Sequence, residues 1–156
     1  MSSRVAAGES SKMIRPANLG DVPLLVAFSS ALNAHESIAV SDAVLEAGLR
    51  QLIGDPKLGV VFLIEDAGST VGYALCAFAF DLEFGGREAW LTELFIGDDA
   101  RGHGLGTAAL QDIQRELRAR GLKALHLQVR AENPAVALYE RLGFSRVPRL
   151  VMSRRL

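Results

Sequence analysis

The chain has 156 residues, 49% hydrophobic and 22% charged, with a formal net charge of −1. At this length roughly 70% of the unfolded surface can be buried, so a core needs no metal or disulfide staple. The charge balance gives no electrostatic case for nucleic acid or an anionic membrane as partner. Cys76, the single cysteine, excludes an internal disulfide and a cysteine-rich metal site; its apolar surroundings read as those of a buried structural thiol. No stretch reaches the roughly 18 apolar residues of a membrane span, so cytoplasmic residence is expected. Residues 1–12 are small and polar and read as a mobile tail ahead of one domain, residues 13–156.

In chain order, Met13 to Arg15 reads as a short strand closed by Pro16. A helix is expected from Leu19 to about Ala34, with Leu24, Leu25, Phe28 and Leu32 at the spacing of a buried stripe. Ser41 or Asp42 can cap a second helix carrying Val44, Leu45, Leu49, Leu52 and Ile53. Val60 to Glu65 and Val71 to Phe80 form a hairpin across Asp66-Ala67-Gly68-Ser69-Thr70. Gly85-Gly86 turns the chain into a strand from Glu88 to Ile96. A glycine loop and a long helix to Arg120 follow, with Leu110, Ile113 and Leu117 inward and Gly121 as stop. Ala124 to Val129 is a strand, Pro134 to Leu142 a short helix, and Val147 to Arg154 can supply final strands. This order predicts a mixed α/β sheet with a parallel pair at the crossover.

The loop Arg101-Gly102-His103-Gly104-Leu105-Gly106 joins a strand to a helix. Its glycines remove the side chains that would keep a bulky anion off the backbone. Free N–H groups and the positive end of the helix dipole then make a phosphate or pyrophosphate site, to which Arg101 can add a charge-assisted bond. The spacing lacks the four intervening residues and the Lys-Ser/Thr of the nucleotide-hydrolase loop. It also lacks the Gly-x-Gly-x-x-Gly after a first strand that a dinucleotide fold requires.

Arg-x-x-Gly-x-Gly at 101–106, after the strand Trp90-Leu91-Thr92-Glu93-Leu94-Phe95-Ile96, resembles the cofactor signature of the GNAT superfamily of N-acetyltransferases. Asn133-Pro134-Ala135-Val136-Ala137-Leu138-Tyr139-Glu140-Arg141-Leu142-Gly143-Phe144 resembles that family's other main motif, and Ile14-Arg15-Pro16-Ala17 with Asp21 its opening. The resemblance spans roughly residues 13 to 155. It implies a GNAT fold: a mostly antiparallel sheet of 6–7 strands with one splayed parallel pair and about four helices. It also implies acetyl-CoA as co-substrate, with no metal. Backbone groups of Leu94, Phe95 and Ile96 would bind the pantetheine arm. Arg101, Gly102, His103, Gly104, Leu105, Gly106 and Thr107 would bind the pyrophosphate, and Asn133 the arm from the opposite side.

Acetyl transfer to an amine poses two proton problems. A lysine-like ammonium has a pKa near 10.4, so making the neutral nucleophile at pH 7 costs roughly 4–5 kcal/mol. The departing thiolate must also be stabilised. The resemblance implies Tyr139 as general acid. The position where some relatives carry a basic glutamate holds Gln128 here, which cannot accept a proton. Glu93, acting through water, is the preferred base and His126 a second choice. Strand alternation leaves open whether Thr92 or Glu93 faces the pocket. By the same resemblance, Asn33 to Ser41 and Asp81 to Glu88 would line the acceptor pocket. There Asp81, Glu83, Glu88 and Glu93 outnumber Arg87 and favour a cationic amine, a small molecule or a peptide. The alternative is a non-catalytic acyl-CoA sensor or partner module. Self-association as a homodimer through the C-terminal strands is a further expectation of the resemblance.

Overall fold

The computed structural model describes residues 12–156. The expected tail lies outside them except for Lys12, whose Nζ meets Glu116 at 3.0 Å. Among the described residues five strands form one sheet in the order β1-β2-β3-β4-β5. They are β1 (Ile14–Pro16), β2 (Gly59–Asp66), β3 (Ser69–Asp81), β4 (Gly86–Ile96) and β5 (Leu125–Leu127). β1 to β4 are antiparallel neighbours, and β5 runs parallel to β4. Four helices flank them: α1 (Val22–His35), α2 (Asp42–Gly54), α3 (Leu105–Ala119) and α4 (Ala135–Arg141).

β2 explains why both faces are covered. Phe62 and Ile64 point to the core under α3, while Val61 and Leu63 point to the core under α1 and α2, and all four are buried. A strand buried on both sides reads as an unbroken apolar run. The α3 face adds Leu110, Ile113 and Leu117, as the spacing predicted. In α1 Leu25, Phe28 and Leu32 pack into the core as expected, with Val22 and Ser29 buried beside them, whereas Leu24 is exposed. Val44 of α2 is likewise exposed, because α2 packs through Leu49. The β2–β3 turn places Ala67 and Gly68 at φ 49° and 81°, the left-handed pair of a tight hairpin.

Two expectations about the sheet are corrected. Residues 147–154 form no strand, so the sheet has five strands among the described residues rather than 6–7. Pro148 interrupts this segment and has no N–H for a ladder. Arg146 and Arg149 tie it instead to Glu140 at 2.6 Å and Glu83 at 3.4 Å. β5 is also shorter than Ala124–Val129, since its partner β4 departs after Leu91.

The entry to α1 is held by charge. Arg15 donates through Nη1 and Nη2 to Asp21 at 2.9 and 3.0 Å and through Nε to Glu65 at 2.8 Å. Asp21 also accepts from the Asn18 backbone at 2.9 Å. These bonds, Arg15 above all, hold the Asp21 carboxyl below the usual carboxylate range. Asp21→Asn is therefore expected to cost about 1–2 kcal/mol in urea unfolding at neutral pH. A depressed carboxyl stabilises the fold above its unfolded pKa. The gap between wild type and variant should thus begin to close below about pH 4.

Candidate active site

The glycine loop lies between β4 and α3. Gly102 and Gly104 have φ of 81° and 72°, a backbone setting that L side chains rarely adopt. The left-handed turn at Gly104 lets the chain enter α3 without a side-chain cap. The first backbone bond of that helix runs from Ala108 N to Gly104 O. The N–H groups of residues 102–107 have no backbone acceptor among the described residues. They surround a cavity of about 220 Å³, lined by Ile96, residues 100–102 and 104–107, and Leu138. Unpaired N–H groups at the start of a 15-residue helix form a site for an anion.

Arg101 has a role that the spacing did not reveal. Its Nε donates to Ile96 O at 2.8 Å, Nη1 lies 3.1 Å from Asp98, and its guanidinium stacks over Phe95 at 5.6 Å. The side chain thus clamps the end of β4 while lining the cavity.

β4 and β5 pair only at Ala89–Leu125, Trp90–His126 and Leu91–Leu127. Beyond Leu91 the outer edge of β4 faces no strand among the described residues, and Leu94, Phe95 and Ile96 lie on this open edge. The departure coincides with a bulge. Leu75 pairs with Glu93 and Cys76 with Leu91, so Thr92 is the extra residue. A bulge bends its strand and reverses which residues face each side. Ala89 and Leu91 face α3 before it, as do Leu94 and Ile96 after it, while Phe95 joins the opposite core. This settles the phase: Glu93 faces the α1–α2 side, and Thr92 bonds back to Leu75 O at 3.4 Å.

Glu93 accepts from the Tyr73 hydroxyl at 2.5 Å. Tyr73 is fully buried, and burial first, then this carboxylate, pushes its pKa up. Tyr73 therefore stays protonated and fixes Glu93 as an acceptor. Further down the same face, Glu88 is 6% exposed, where the sequence reading had counted it among pocket-lining charges. Its Oε1 accepts from Trp90 Nε1 at 3.0 Å, and its Oε2 lies 2.8 Å from His126 Nε2. Burial pushes the Cys76 thiol up to about 12, so it stays inert at neutral pH.

The second motif forms α4 and the turn before it. Asn133 Oδ1 accepts from Ala135 N at 2.9 Å, so its amide oxygen opens the helix while its NH₂ remains available. Leu138 places α4 on the wall of the glycine-loop cavity. Tyr139 is half-buried on the α3 side, edge-on to Phe144 at 5.9 Å between ring centres. No described group bonds its hydroxyl, and no buried side-chain oxygen lacks a partner, so the hydroxyl meets solvent. Burial raises its pKa.

The model of the Acetyltransferase (GNAT) family matches residues 27–144. The chain belongs to this family. The GNAT chain is 36% identical over 85 residues to the ribosomal protein bS18-alanine N-acetyltransferase of Escherichia coli strain K12, covering 54% of the chain and 53% of that protein. It thus spans about half the length of the curated relatives it matches first. An integron cassette protein from the mobile metagenome of Cole Harbour Salt Marsh superposes with a TM-score of 0.83 at 29% identity, covering 98% of the chain and 96% of its own. A structure described as a predicted acetyltransferase with acetyl-CoA, from Clostridium acetobutylicum, superposes at 0.74 with 20% identity, covering 90% and 94%.

In this GNAT domain the residues singled out from sequence fall into two groups. Residues 101–107, the open edge at 94–96, Asn133 and Tyr139 belong to the loop, the strand edge and the α4 region. Glu93 and His126 lie on the α1–α2 side. The unpaired N–H groups suit a pyrophosphate, and the open edge suits an arm bearing amides. Sequence reasoning missed Tyr73 as the partner of Glu93 and Glu88 as the partner of His126. Alternation along β3 and β4 would have suggested cross-strand neighbours, but the bulge at Thr92 decides which ones meet.

Proposed function

We propose that the chain transfers the acetyl group of acetyl-CoA to a primary amine. The observation that carries this reading is the run of N–H groups at 102–107 that find no backbone acceptor among the described residues, beside an edge of β4 that no described strand covers. Acetyl-CoA supplies the acetyl group as a thioester. Residues 102–107 hold its pyrophosphate, the edge at Leu94–Ile96 and the Asn133 amide its arm. Tyr139 then donates a hydrogen bond toward the sulfur that strengthens as charge develops there. The ammonium's proton goes to an acceptor on the α1–α2 face, where Glu93, through water, and His126 stand.

The acceptor is a cationic amine, a small molecule or the end of a peptide. Asp81 and Glu83 lie on the β3–β4 turn among exposed Phe80, Leu82 and Phe84, and Ile38 is exposed between α1 and α2. Acidic groups among apolar ones suit an ammonium flanked by apolar surface. That the E. coli relative is a protein-alanine N-acetyltransferase by name supports including peptides. The test is release of free thiol from acetyl-CoA with alkylamines, amino acids, aminoglycosides, polyamines and short peptides. Release with at least one class is expected. Normal acetyl-CoA binding with no release from any of them would favour the sensor reading instead.

A further inference from the structure

A buried carboxylate and an imidazole meet on the α1–α2 face at the last rungs of the β4–β5 pair. Glu88 is 6% exposed, and both of its oxygens are engaged, by Trp90 Nε1 and His126 Nε2. Trp90 stacks on the His126 ring at 4.7 Å between centres, and Phe84 meets it edge-on at 5.2 Å. Two aromatic walls and a hydrogen bond at one nitrogen fix the orientation of the ring. A carboxylate only accepts, so against ionised Glu88 the hydrogen of this bond lies on Nε2, and in the neutral ring Nδ1 then carries the lone pair. No described group bonds Nδ1, and no buried side-chain nitrogen lacks a partner, so Nδ1 opens to solvent. Of the described groups that bond or stack on the ring, Glu88 is ionisable, and Trp90 and Phe84 are uncharged. The pair Trp90–His126 lies one rung before β4 and β5 part, on the face that Glu93 also shares. Glu93 has one oxygen engaged by Tyr73, whereas no described group bonds Nδ1 of His126.

We propose that His126 Nδ1 takes the proton from the acceptor's ammonium, and that Glu88 is the positioning residue that sets its tautomer and offsets the charge it gains. The inference rests on the acetyltransferase reading above. In balance, R–NH₃⁺ gives one proton to His126, and the neutral nitrogen forms the C–N bond as the C–S bond breaks. The nitrogen's second proton passes through water to the sulfur, whose developing charge the Tyr139 hydroxyl stabilises by its hydrogen bond, giving the free thiol. His126 then releases its proton to solvent, one per turnover. A carboxylate behind an imidazole holds the ring and stabilises the imidazolium, as in other general-base pairs.

The experiment measures kcat/KM with one alkylamine acceptor from pH 7 to pH 10 for wild type, His126→Gln, Glu88→Gln, the double variant and Glu93→Gln. Calorimetric binding of acetyl-CoA within about threefold of wild type checks the fold of each. His126→Gln should lose roughly 10²-fold at pH 7. The loss should shrink to under about 5-fold near pH 10, where an amine of pKa near 10.4 is substantially neutral without help. Glu88→Gln should lose about 10-fold, and the double variant no more than His126→Gln alone, because Glu88 acts through His126. A loss independent of pH, losses that multiply in the double variant, or a pH-dependent loss in Glu93→Gln instead would each overturn the assignment. If wild type releases no thiol with any amine, the acetyltransferase reading itself fails and this assignment with it.

Discussion

Tyr139→Phe is expected to lower kcat about 10²- to 10³-fold while leaving acetyl-CoA binding within about threefold of wild type. The ring does the packing. It lies half-buried against the α3-side core and edge-on to Phe144, and phenylalanine fills the same volume. No described group bonds the hydroxyl, and no buried side-chain nitrogen or oxygen lacks a partner, so removing it leaves no described buried group unsatisfied and should change stability by less than about 0.5 kcal/mol. Burial raises the Tyr139 pKa, which keeps the phenol protonated at neutral pH. A phenol so placed is a poor outright acid toward a thiolate but a good donor to charge developing on sulfur. The loss should therefore appear in kcat and not in KM, an interaction made in the transition state only. Single-turnover thiol release measures it, and a kcat within twofold of wild type would remove Tyr139 from the chemistry.

Gly106→Glu should separate binding from folding. Gly106 is the second residue of α3, and a side chain there enters open space, with Ile96 Cγ1 the nearest atom at 4.0 Å. Replacing glycine in a helix gains about 0.5–1 kcal/mol. An acidic side chain in the first turn gains a further ~0.3–1 kcal/mol from the helix dipole. The protein without ligand should thus melt at the same temperature or higher. The same carboxylate occupies the cavity bounded by the N–H groups of 102–107 and repels a pyrophosphate. The Kd for CoA should rise at least about 100-fold, read by calorimetry. Unchanged CoA binding in a stable variant would show that the phosphates lie elsewhere.

The two motifs were legible because each is local. Glycines at 102, 104 and 106 and the run Asn133 to Gly143 shape their own backbone, so their spacing alone carries the information. The helix cores were legible where one face is buried, as at Leu110, Ile113 and Leu117. Leu24 and Val44 were misread because apolar residues wider than the contact stripe leave the buried edge undetermined until a partner is packed. The C-terminal strands failed at Pro148, where a β-rich composition meets a missing donor and two outward ion pairs.

The sequence by itself determined the order of the first five strands and of the helices, the glycine loop between β4 and α3, and the family to which they belong, since these follow from short-range periodicity and from glycine placement. The tertiary structure alone decided which carboxylates can work. One extra residue, Thr92, shifts the register between β3 and β4, joins Glu93 to Tyr73 and ends the pairing of β4 with β5. Glu88 and His126 meet across that parallel pair, 38 residues apart in the chain. Neither contact can be read from spacing, because a strand's partners are set by pairing and a bulge reverses the faces that alternation assigns.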